Sequence, residues 1–318
     1  MRVGLLGLGR IGAFHAATLA AHPLVDDLIV ADPVRSSPHG RPGDPFEADA
    51  VVIATPTGTH AALLREACRR GIPAFCEKPV AGDVKETAEV LEAARGHRVQ
   101  IGFQRRFDAG YAAARAALRE GELGELHRVH LITADPAPPP AAYIPQSGGI
   151  YRDCHIHDFD ILRWVTGREV VTVYATGANR GAAFFAEAGD VDTSAALLTL
   201  DDGTLATVQG SRYNGAGYDV RMELAGTLGT WAVGLGPRAP LSSTEGLQPP
   251  GEAWPDFVTR FATAYAAEID AFLRGAPGLC PIEDALAALY VAEAAELSRR
   301  ERRPVEVAEV REATTPRP

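Results

Sequence analysis

Three ionisable residues that lie close together in the sequence, Asp153, His157 and Asp160, have the side chains that acid–base chemistry needs. The apolar residues around them predict one helix from Gly148 to Trp164, on which these three side chains fall within a sector of about 60°. An imidazole titrates near neutral pH, and a neighbouring carboxylate orients its ring, so His157 is a candidate general base. His155 points away from this sector and is interpreted as a packing or capping residue.

A metal site and a structural cluster are the alternatives for this segment. Histidine and aspartate at helical spacing can bind zinc, but the sequence offers no evident third and fourth ligand, so no metal is predicted. Ionisable groups on an apolar helix are costly to bury without partners, so a hydrogen-bonded structural cluster would also explain them. The four cysteines, Cys68, Cys76, Cys154 and Cys280, show no metal-ligand spacing and are expected to be reduced.

A second kind of site is predicted at the N-terminus, where Gly7, Gly9 and Gly12 form a G-x-G-x-x-G turn between a strand and a helix. The first glycine permits the tight turn, the second lets the backbone approach a pyrophosphate, and the third lets helix and strand pack closely. The helix N-terminus at Arg10 and Ile11 adds N–H groups and a partial positive charge. The turn therefore predicts a dinucleotide site.

Asp32 lies twenty residues beyond Gly12, at the end of the next predicted strand. A carboxylate there can accept hydrogen bonds from the adenosine ribose and would repel a 2′-phosphate, which favours NAD over NADP. Arg35 and Ser36 leave NADP open. The alternative is a structural glycine-rich turn followed by a surface aspartate.

Glu77, Lys78 and Pro79 follow the predicted strand Ala74–Cys76. Parallel sheets bind ligands at the carboxyl ends of their strands. A lysine there can stabilise an alkoxide or polarise a carbonyl, and a proline can fix the turn through a cis bond. The alternative for Lys78 is an exposed loop residue.

The N-terminal third alternates short apolar runs with amphipathic stretches, which predicts an α/β fold with a parallel sheet. The predicted strands are Val3–Leu6, Leu28–Ala31, Val51–Ala54, Ala74–Cys76 and Val99–Gly102. The predicted helices are Ile11–Ala21, His60–Arg70 and Val84–Arg95. Thr57 and Thr59 are candidate caps of the second helix. A Rossmann dinucleotide-binding domain is therefore predicted for residues 1–104.

Residues 105–318 are predicted to form an α+β domain with a large, mostly antiparallel sheet. Its predicted strands are Leu126–Thr133, Val170–Thr176, Thr193–Leu200, Leu205–Gln209, Val220–Leu224 and Thr230–Val233. Its further predicted helices are Tyr111–Arg119, Phe257–Leu273 and Ile282–Arg299. Residues 201–203 predict a hairpin turn. The proline-rich segment 135–146, a candidate wall over the substrate, and segment 236–256 are predicted to be irregular.

Composition excludes some classes of partner. A net charge of −10 and a pI near 5.4 argue against nucleic acid or an anionic membrane surface. The apolar N-terminus is interrupted by glycines, unlike a signal peptide, and no apolar run is long enough for a membrane span. A cytoplasmic protein is expected.

Three motifs occur in order: GLGRIG at 7–12, CEKP at 76–79 and GGIYRDCHIHDFD at 148–160. Together they resemble the Gfo/Idh/MocA oxidoreductase family over nearly the whole chain. The QRRFD segment at 104–108 looks most like the inositol 2-dehydrogenase branch. The resemblance implies that Lys78, Asp153 and His157 are the catalytic residues.

The resemblance also implies further site residues. Those implied to contact the cofactor or the substrate are Ala54, Thr55, Pro56, Glu77, Lys78 and Gln104. Asp160 is implied as a ligand of a cyclitol hydroxyl, with Tyr213 as a weaker candidate. The expected reaction is NAD-dependent oxidation of a ring secondary alcohol, with a small polyol or sugar-like substrate such as myo-inositol. A homo-oligomer, dimeric or tetrameric through the open face of the C-terminal sheet, is expected.

The segment 33–49 departs from the family, which normally has a helix and a short strand there. This chain has only a segment rich in proline and glycine, so the adenosine side of the site is expected to be more open and the NAD or NADP preference is affected. The alternatives for function are a sugar or aminocyclitol dehydrogenase, a non-catalytic NAD(H)-binding protein, and a glycosidase-like enzyme that retains NAD.

Overall fold

The computed structural model describes residues 1–244, 251–276 and 279–314, and the chain divides into two compact units. The first unit comprises residues 1–107 and 263–287, and the second comprises residues 108–262 and 288–318. The division predicted from the sequence, 1–104 and 105–318, placed residues 263–287 with the second domain. The structure instead groups them with the first unit.

The N-terminal part of the first unit alternates strands and helices. In chain order these are β1 (Arg2–Leu6), α1 (Arg10–Ala20), β2 (Asp27–Ala31), β3 (Arg41–Pro42), β4 (Ala50–Ile53), α2 (His60–Arg70), β5 (Ala74–Glu77), α3 (Val84–Ala93) and β6 (Val99–Gly102). The six strands form one parallel sheet in the order β3-β2-β1-β4-β5-β6. This is the strand order of a dinucleotide-binding Rossmann domain, in which the order of the strands reverses between β1 and β4 while all strands run parallel. The predicted fold of this part is confirmed.

The core of the first unit draws on both of its chain segments. Val52 of β4 and Phe75 of β5 are wholly buried, as expected for central strands covered on both faces. Ile269, Phe272 and Leu273 from the later segment belong to the same apolar cluster. Residues 263–287 therefore complete this core, which explains their assignment.

Two local details of the first unit differ from the prediction. Thr59, one of the two candidates, is the N-cap residue of α2, but its hydroxyl donates to the Pro56 carbonyl and makes no cap bond. Thr57 begins the 3₁₀ turn that precedes the helix. The segment 33–49, in which no strand was expected, contains the two-residue strand β3 and a 3₁₀ turn at Pro45–Glu47. Elements this short leave no periodic pattern in a sequence.

The remaining elements follow β6 in the chain. These are α4 (Ala109–Arg119), β7 (Leu126–Ala134), α5 (Ile144–Ser147), α6 (Ile150–Asp153), α7 (Ile156–Thr166), β8 (Val170–Ala178), α8 (Phe184–Glu187), β9 (Thr193–Leu200), β10 (Leu205–Ser211), β11 (Asp219–Gly226), β12 (Thr230–Val233), α9 (Phe257–Arg274), α10 (Ile282–Glu301), β13 (Val305–Glu306) and α11 (Val307–Thr314). Of these, α9 and α10 run partly through residues 263–287 of the first unit. The sheet order is β12-β11-β7-β10-β9-β8-β13, and every pairing is antiparallel except that of β7 with β10. The predicted mostly antiparallel sheet is confirmed.

The predicted hairpin and the alternating burial of this sheet are also present. Residues 201–203 connect the antiparallel strands β9 and β10, with Gly203 at a φ of +89°. On one sheet face Tyr174, Leu197 and Leu205 remain 44, 46 and 48% exposed. Tyr174 pairs directly with Leu197 across β8 and β9. We call this side the open sheet face.

The predicted helix from Gly148 to Trp164 was wrong as a single element, because the chain forms α6 and α7 with a break between them. The N–H of His155 donates to the carbonyl of Ile150, five residues back, and the N–H of His157 donates to that of Cys154, three residues back. The ladder therefore changes register at the break. The calculation that placed Asp153, His157 and Asp160 in one helical sector does not apply across it.

The predicted irregular segments are partly confirmed. Segment 135–146 includes a 3₁₀ turn, Ala141–Tyr143, and the first residues of α5, so it is more ordered than expected. In segment 236–256, the described residues 236–244 and 251–256 contain no helix or strand, and residues 245–250 lie outside the described residues. Among the described residues, no helix has the length and apolar character to cross a membrane.

Candidate active site

The glycine turn after β1 has the shape that a dinucleotide pyrophosphate requires. Gly7 has a φ of +91°, and a Cβ there would lie 2.5 Å from the Ala54 carbonyl oxygen; a Cβ on Gly12 would lie 2.1 Å from the Gly7 carbonyl oxygen. At Gly9, no atom of the described residues lies within 4 Å of an added Cβ. Gly9 is also the N-cap of α1, so no side chain covers the first-turn N–H groups. The turn fits NAD, whose pyrophosphate Gly9, Arg10 and Ile11 would hold.

Asp32 is tied to the backbone around it more closely than the sequence suggested. Its Oδ2 accepts the N–H of Leu8 in the glycine turn at 2.7 Å, and its Oδ1 accepts those of Val34 and Arg35 at 2.9 and 2.8 Å. The bond from Leu8, followed by that from Val34, holds the pKa of this carboxyl below its usual range. Asp32 therefore supports the glycine turn, a role that sequence reasoning missed. Its contact with the ribose stays a prediction.

His60 joins the two segments that were predicted to contact the cofactor beyond the glycine turn. The imidazole is 1% exposed, with Nδ1 2.7 Å from the Pro79 carbonyl oxygen and Nε2 2.7 Å from that of Thr55. The turns after β4 and β5 are thereby linked at the carboxyl edge of the sheet, where such folds bind ligands. Sequence reasoning treated His60 only as a helix residue. The bond between Lys78 and Pro79 is cis, as the sequence analysis allowed.

Glu77, which precedes Lys78, is anchored to α1. Its Oε1 lies 2.6 Å from Nε2 of His15, a wholly buried residue whose ring packs edge-on against Phe75 and Tyr265. The EKP turn and the helix that opens at the glycine turn are therefore held together through a buried contact. Sequence reasoning missed His15.

Gln104 begins the 3₁₀ turn Gln104–Phe107 after β6 and is 3% exposed. The predicted cofactor and substrate contacts of Gln104, Glu77, Lys78 and segment 54–56 stay predictions. All of these residues belong to the first unit.

In the second unit, Asp153 ends α6 and is held by two donors. Arg212 donates from Nη2 to Oδ2 at 2.8 Å, and the Tyr143 hydroxyl donates to Oδ1 at 2.9 Å. Arg212 also donates from Nη1 to Oδ2 of Asp135 at 3.1 Å. Sequence reasoning missed Arg212, Tyr143 and Asp135. Two of them, Arg212 and Asp135, share a signal in the sequence, because each directly follows a strand.

Burial and charge act together on this group. Arg212 is 3% exposed, and although burial opposes its charge, the neighbouring Cys154, Asp153 and Asp135 raise the pKa of its guanidinium on balance. Burial, followed by the charge of Asp153, raises the pKa of the Tyr143 phenol, which therefore remains a hydrogen-bond donor. Asp153 consequently accepts from a fixed cation and a fixed hydroxyl.

His155 has a structural role, as its interpretation as a packing residue predicted. Its Nδ1 lies 2.7 Å from Oδ2 of Asp158, and its Nε2 lies 2.7 Å from the Ser194 hydroxyl. Thr133 donates to the other oxygen of Asp158 at 2.7 Å. This wholly buried network attaches the start of α7 to the sheet.

The other predicted site residues of the second unit lie on α7 or after β10. His157 is half-buried near the start of α7, and Asp160 on the same helix is 0% exposed. Tyr213 is 39% exposed, and its hydroxyl accepts the N–H of Ala182 at 3.1 Å. The catalytic role of His157 and the substrate roles of Asp160 and Tyr213 stay predictions. In the part of the chain that the structure describes, no group of three or more His, Cys, Asp or Glu is placed to hold a metal ion.

Comparison with known proteins agrees with this architecture. Residues 34–104 match the oxidoreductase family with an NAD-binding Rossmann fold, and residues 111–232 match the GFO/IDH/MocA C-terminal domain. Inositol 2-dehydrogenase of Rhizobium meliloti (strain 1021) is 37% identical over 97% of this chain and 99% of its own length.

Two solved structures extend the likeness. A myo-inositol dehydrogenase from Corynebacterium glutamicum ATCC 13032 superimposes with a TM-score of 0.87 at 35% identity, over 96% of this chain and 98% of the other. A scyllo-inositol dehydrogenase from Lactobacillus casei with bound NAD(H) and scyllo-inositol gives 0.83 at 28% identity, over 97% and 99%. The fold and the glycine turn thus define an NAD-dependent oxidoreductase. The chain belongs to the GFO/IDH/MocA family, as its motifs indicated.

Proposed function

We propose that this protein oxidises a ring secondary alcohol of a cyclitol with NAD⁺, with myo-inositol, converted to 2-keto-myo-inositol, as the principal substrate. The observation that carries the proposal is the 37% identity, over 97% of the chain, with a relative named inositol 2-dehydrogenase. Lys78 lies in the CEKP motif, and Asp153 and His157 lie in the GGIYRDCHIHDFD motif, which together resemble the family's motifs.

The proposed mechanism gives each of these residues one task. His157 accepts the proton of the substrate hydroxyl as general base. Asp153 orients His157, and its two donors keep the carboxylate in one position. The Lys78 ammonium stabilises the alkoxide that forms as the proton leaves. NAD⁺, whose pyrophosphate Gly9, Arg10 and Ile11 would hold, would supply the hydride acceptor for the alcohol carbon.

The amino-acid usage of this chain supports a specific task for Lys78. Only Lys78 and Lys85 are lysines, whereas the remaining basic side chains are arginines. Lysine presents a compact ammonium on a flexible stem and shifts its pKa readily, whereas arginine presents a rigid fork that stays charged. An amine at position 78, in a chain with only one other lysine, favours the chemical role over the surface one.

The test is an NAD⁺ reduction screen against myo-, scyllo- and chiro-inositol, glucose and aminocyclitols, followed by NADH absorbance. We expect turnover with a cyclitol, and we expect Lys78→Ala and His157→Ala each to lower kcat by about 10²–10⁴-fold. Lys85→Ala and His127→Ala, at a helix position and an exposed strand position, are the matched controls. Full turnover in a folded Lys78→Ala or His157→Ala variant would make these assignments wrong.

The same screen separates the alternatives. A higher kcat/KM with glucose or an aminocyclitol than with any inositol would identify a sugar or aminocyclitol dehydrogenase. Binding of NAD without reduction by any polyol would indicate a non-catalytic protein, and turnover of a glycoside without net NADH would indicate an enzyme that retains its cofactor. NADP⁺ should be compared with NAD⁺, because Arg35 and Ser36 are exposed beside Asp32.

The proposal includes a cytoplasmic homo-oligomer, a dimer or tetramer formed through the open sheet face. Its support is the row of half-exposed apolar side chains Tyr174, Leu197 and Leu205. Light scattering coupled to gel filtration should give a mass of two or four chains, and Leu197→Arg should lower that mass without changing the circular dichroism spectrum. A monomer at micromolar concentration would refute this part of the proposal.

A further inference from the structure

A buried guanidinium at the ends of two neighbouring strands joins two carboxylates of the second unit. Ser211, the last residue of β10, pairs in parallel register with Ala134, the last residue of β7. The next residues, Arg212 and Asp135, therefore leave the same edge of the sheet side by side. The N–H of Asp135 donates to the Ser211 carbonyl at 2.9 Å, which extends the ladder by one bond.

From this edge Arg212 contacts Asp153 on the helical segment above the sheet. Its Nη2 lies 2.8 Å from Oδ2 of Asp153, and its Nη1 lies 3.1 Å from Oδ2 of Asp135. The guanidinium is 3% exposed, and the two carboxylates are 13 and 22% exposed. Charges withdrawn from water to this extent are stable only when they are paired with good geometry.

Asp153 needs such a tether because its own helix does not fix it. It is the last residue of α6, and the backbone ladder changes register at Cys154 and His155 directly after it. The direction of a side chain at the end of a four-residue helix depends on what it contacts more than on the helix. Arg212 and Tyr143 supply those contacts, one for each carboxylate oxygen.

We propose that Arg212 is a positioning residue for the reaction. Asp135 fixes its guanidinium, and Tyr143 donates the second hydrogen bond to the Asp153 carboxylate. The inference rests on the proposed function, in which Asp153 orients the general base. Arg212 and Tyr143 each donate to one oxygen of Asp153, and together they fix the orientation of the carboxylate plane.

The test compares Arg212→Met with Arg221→Met. Arg221 is a matched control because its guanidinium pairs with Asp219 on the same sheet at 2.7 and 2.9 Å. We expect Arg212→Met to lower kcat at least tenfold with the NAD⁺ KM within twofold of wild type, whereas Arg221→Met changes neither. Arg212→Ala should recover part of its lost kcat when guanidinium ions are added, and Arg212→Lys should retain more activity than Arg212→Met. Unchanged kcat in Arg212→Met would overturn the proposal.

A second measurement does not depend on turnover and so separates this proposal from the proposed function. If Arg212 holds Asp153, the combined variant Arg212→Met with Asp153→Asn should lose less melting temperature than the two single losses added together. Additive losses would overturn the positioning role even if the enzyme is active. Absence of polyol oxidation by the wild type would instead refute the proposed function, and non-additive losses would then still support the tether.

Discussion

At the scale of single residues, Gly9 and Gly12 occupy the same turn for different physical reasons. An added Cβ at Gly12 would meet the backbone oxygen of Gly7, which cannot move without opening the turn. At Gly9 it would enter the space in front of the N-terminus of α1. Gly12 therefore serves the fold, and Gly9 serves the ligand.

This difference can be measured with two alanine variants. We expect Gly9→Ala to change the free energy of unfolding by less than about 0.5 kcal/mol, since nothing described lies near the new methyl. It should nevertheless raise the Kd for NAD⁺ at least tenfold, because the methyl occupies the approach of the pyrophosphate. Gly12→Ala should impair both stability and binding, as measured by denaturant titration and calorimetry. Equal NAD⁺ affinity in Gly9→Ala and wild type would place the pyrophosphate elsewhere.

The bonds of Asp32 give the protein a defined dependence on acid. Because three backbone N–H groups stabilise the ionised form, the pKa in the folded state lies below the ordinary value of 3.8. The stabilisation is therefore complete above that ordinary value and is lost as the pH falls through the lower folded value. We expect Asp32→Asn to lower the Tm at neutral pH, and the gap from wild type to narrow below about pH 4. Asp201→Asn, in the exposed hairpin turn, is the control, and a gap independent of pH would contradict this account.

At the scale of elements, His60 connects two turns that follow different strands. A neutral imidazole carries one N–H, so it donates to one of the carbonyl oxygens of Thr55 and Pro79 at a time, whereas a phenyl ring donates to neither. We expect His60→Phe to lower the free energy of unfolding by about 1–3 kcal/mol, the cost of leaving one partly buried polar group unsatisfied. The KM for NAD⁺ should rise as well. The exposed His97 provides the control substitution, and a fully stable His60→Phe protein would show that water replaces the ring without cost.

Apart from β3, the sequence predicted the strands and helices of the first unit to within two residues, because the alternation of apolar strands and amphipathic helices is a local pattern. The break between α6 and α7 was not predicted, since Cys154 and His155 are compatible with a helix and the break depends on the buried bonds of His155. Local order thus followed from the sequence wherever no tertiary contact opposed it.

The candidate site divides in the same way. Gly7, Lys78 and Asp153 could be selected from motifs because each stands in a short, recognisable string. Arg212 could not, because its contact with Asp135 spans 77 positions and depends on β7 and β10 being parallel neighbours in an otherwise antiparallel sheet. A residue that contacts a predicted catalytic group from a distant strand can therefore be identified only once the topology is known.

At the scale of the whole molecule, the first unit is discontinuous in the sequence. A fragment ending at residue 107 lacks Ile269, Phe272 and Leu273, which lie in its apolar cluster. Each such side chain contributes about 1.5–3 kcal/mol when buried, so their combined loss is comparable to the net stability of a domain. We expect fragment 1–107 to give a poorly dispersed NMR spectrum. The dispersion of its amide signals should increase when a peptide of residues 263–287 is added. A well-folded fragment without the peptide would show that the later segment is dispensable.

The same discontinuity bears on how the chain is made. The ribosome releases the strands of the parallel sheet first but synthesises the segment that covers Phe75 and its neighbours only about 180 residues later. At typical rates of about 5–20 residues per second, the emerging sheet therefore waits on the order of ten seconds or longer with part of its apolar surface uncovered. During that interval we expect chaperones that bind apolar segments to bind the uncovered surface of the nascent chain. Synonymous codons that slow translation between residues 107 and 263 should lower soluble yield more than the same codons placed before residue 75.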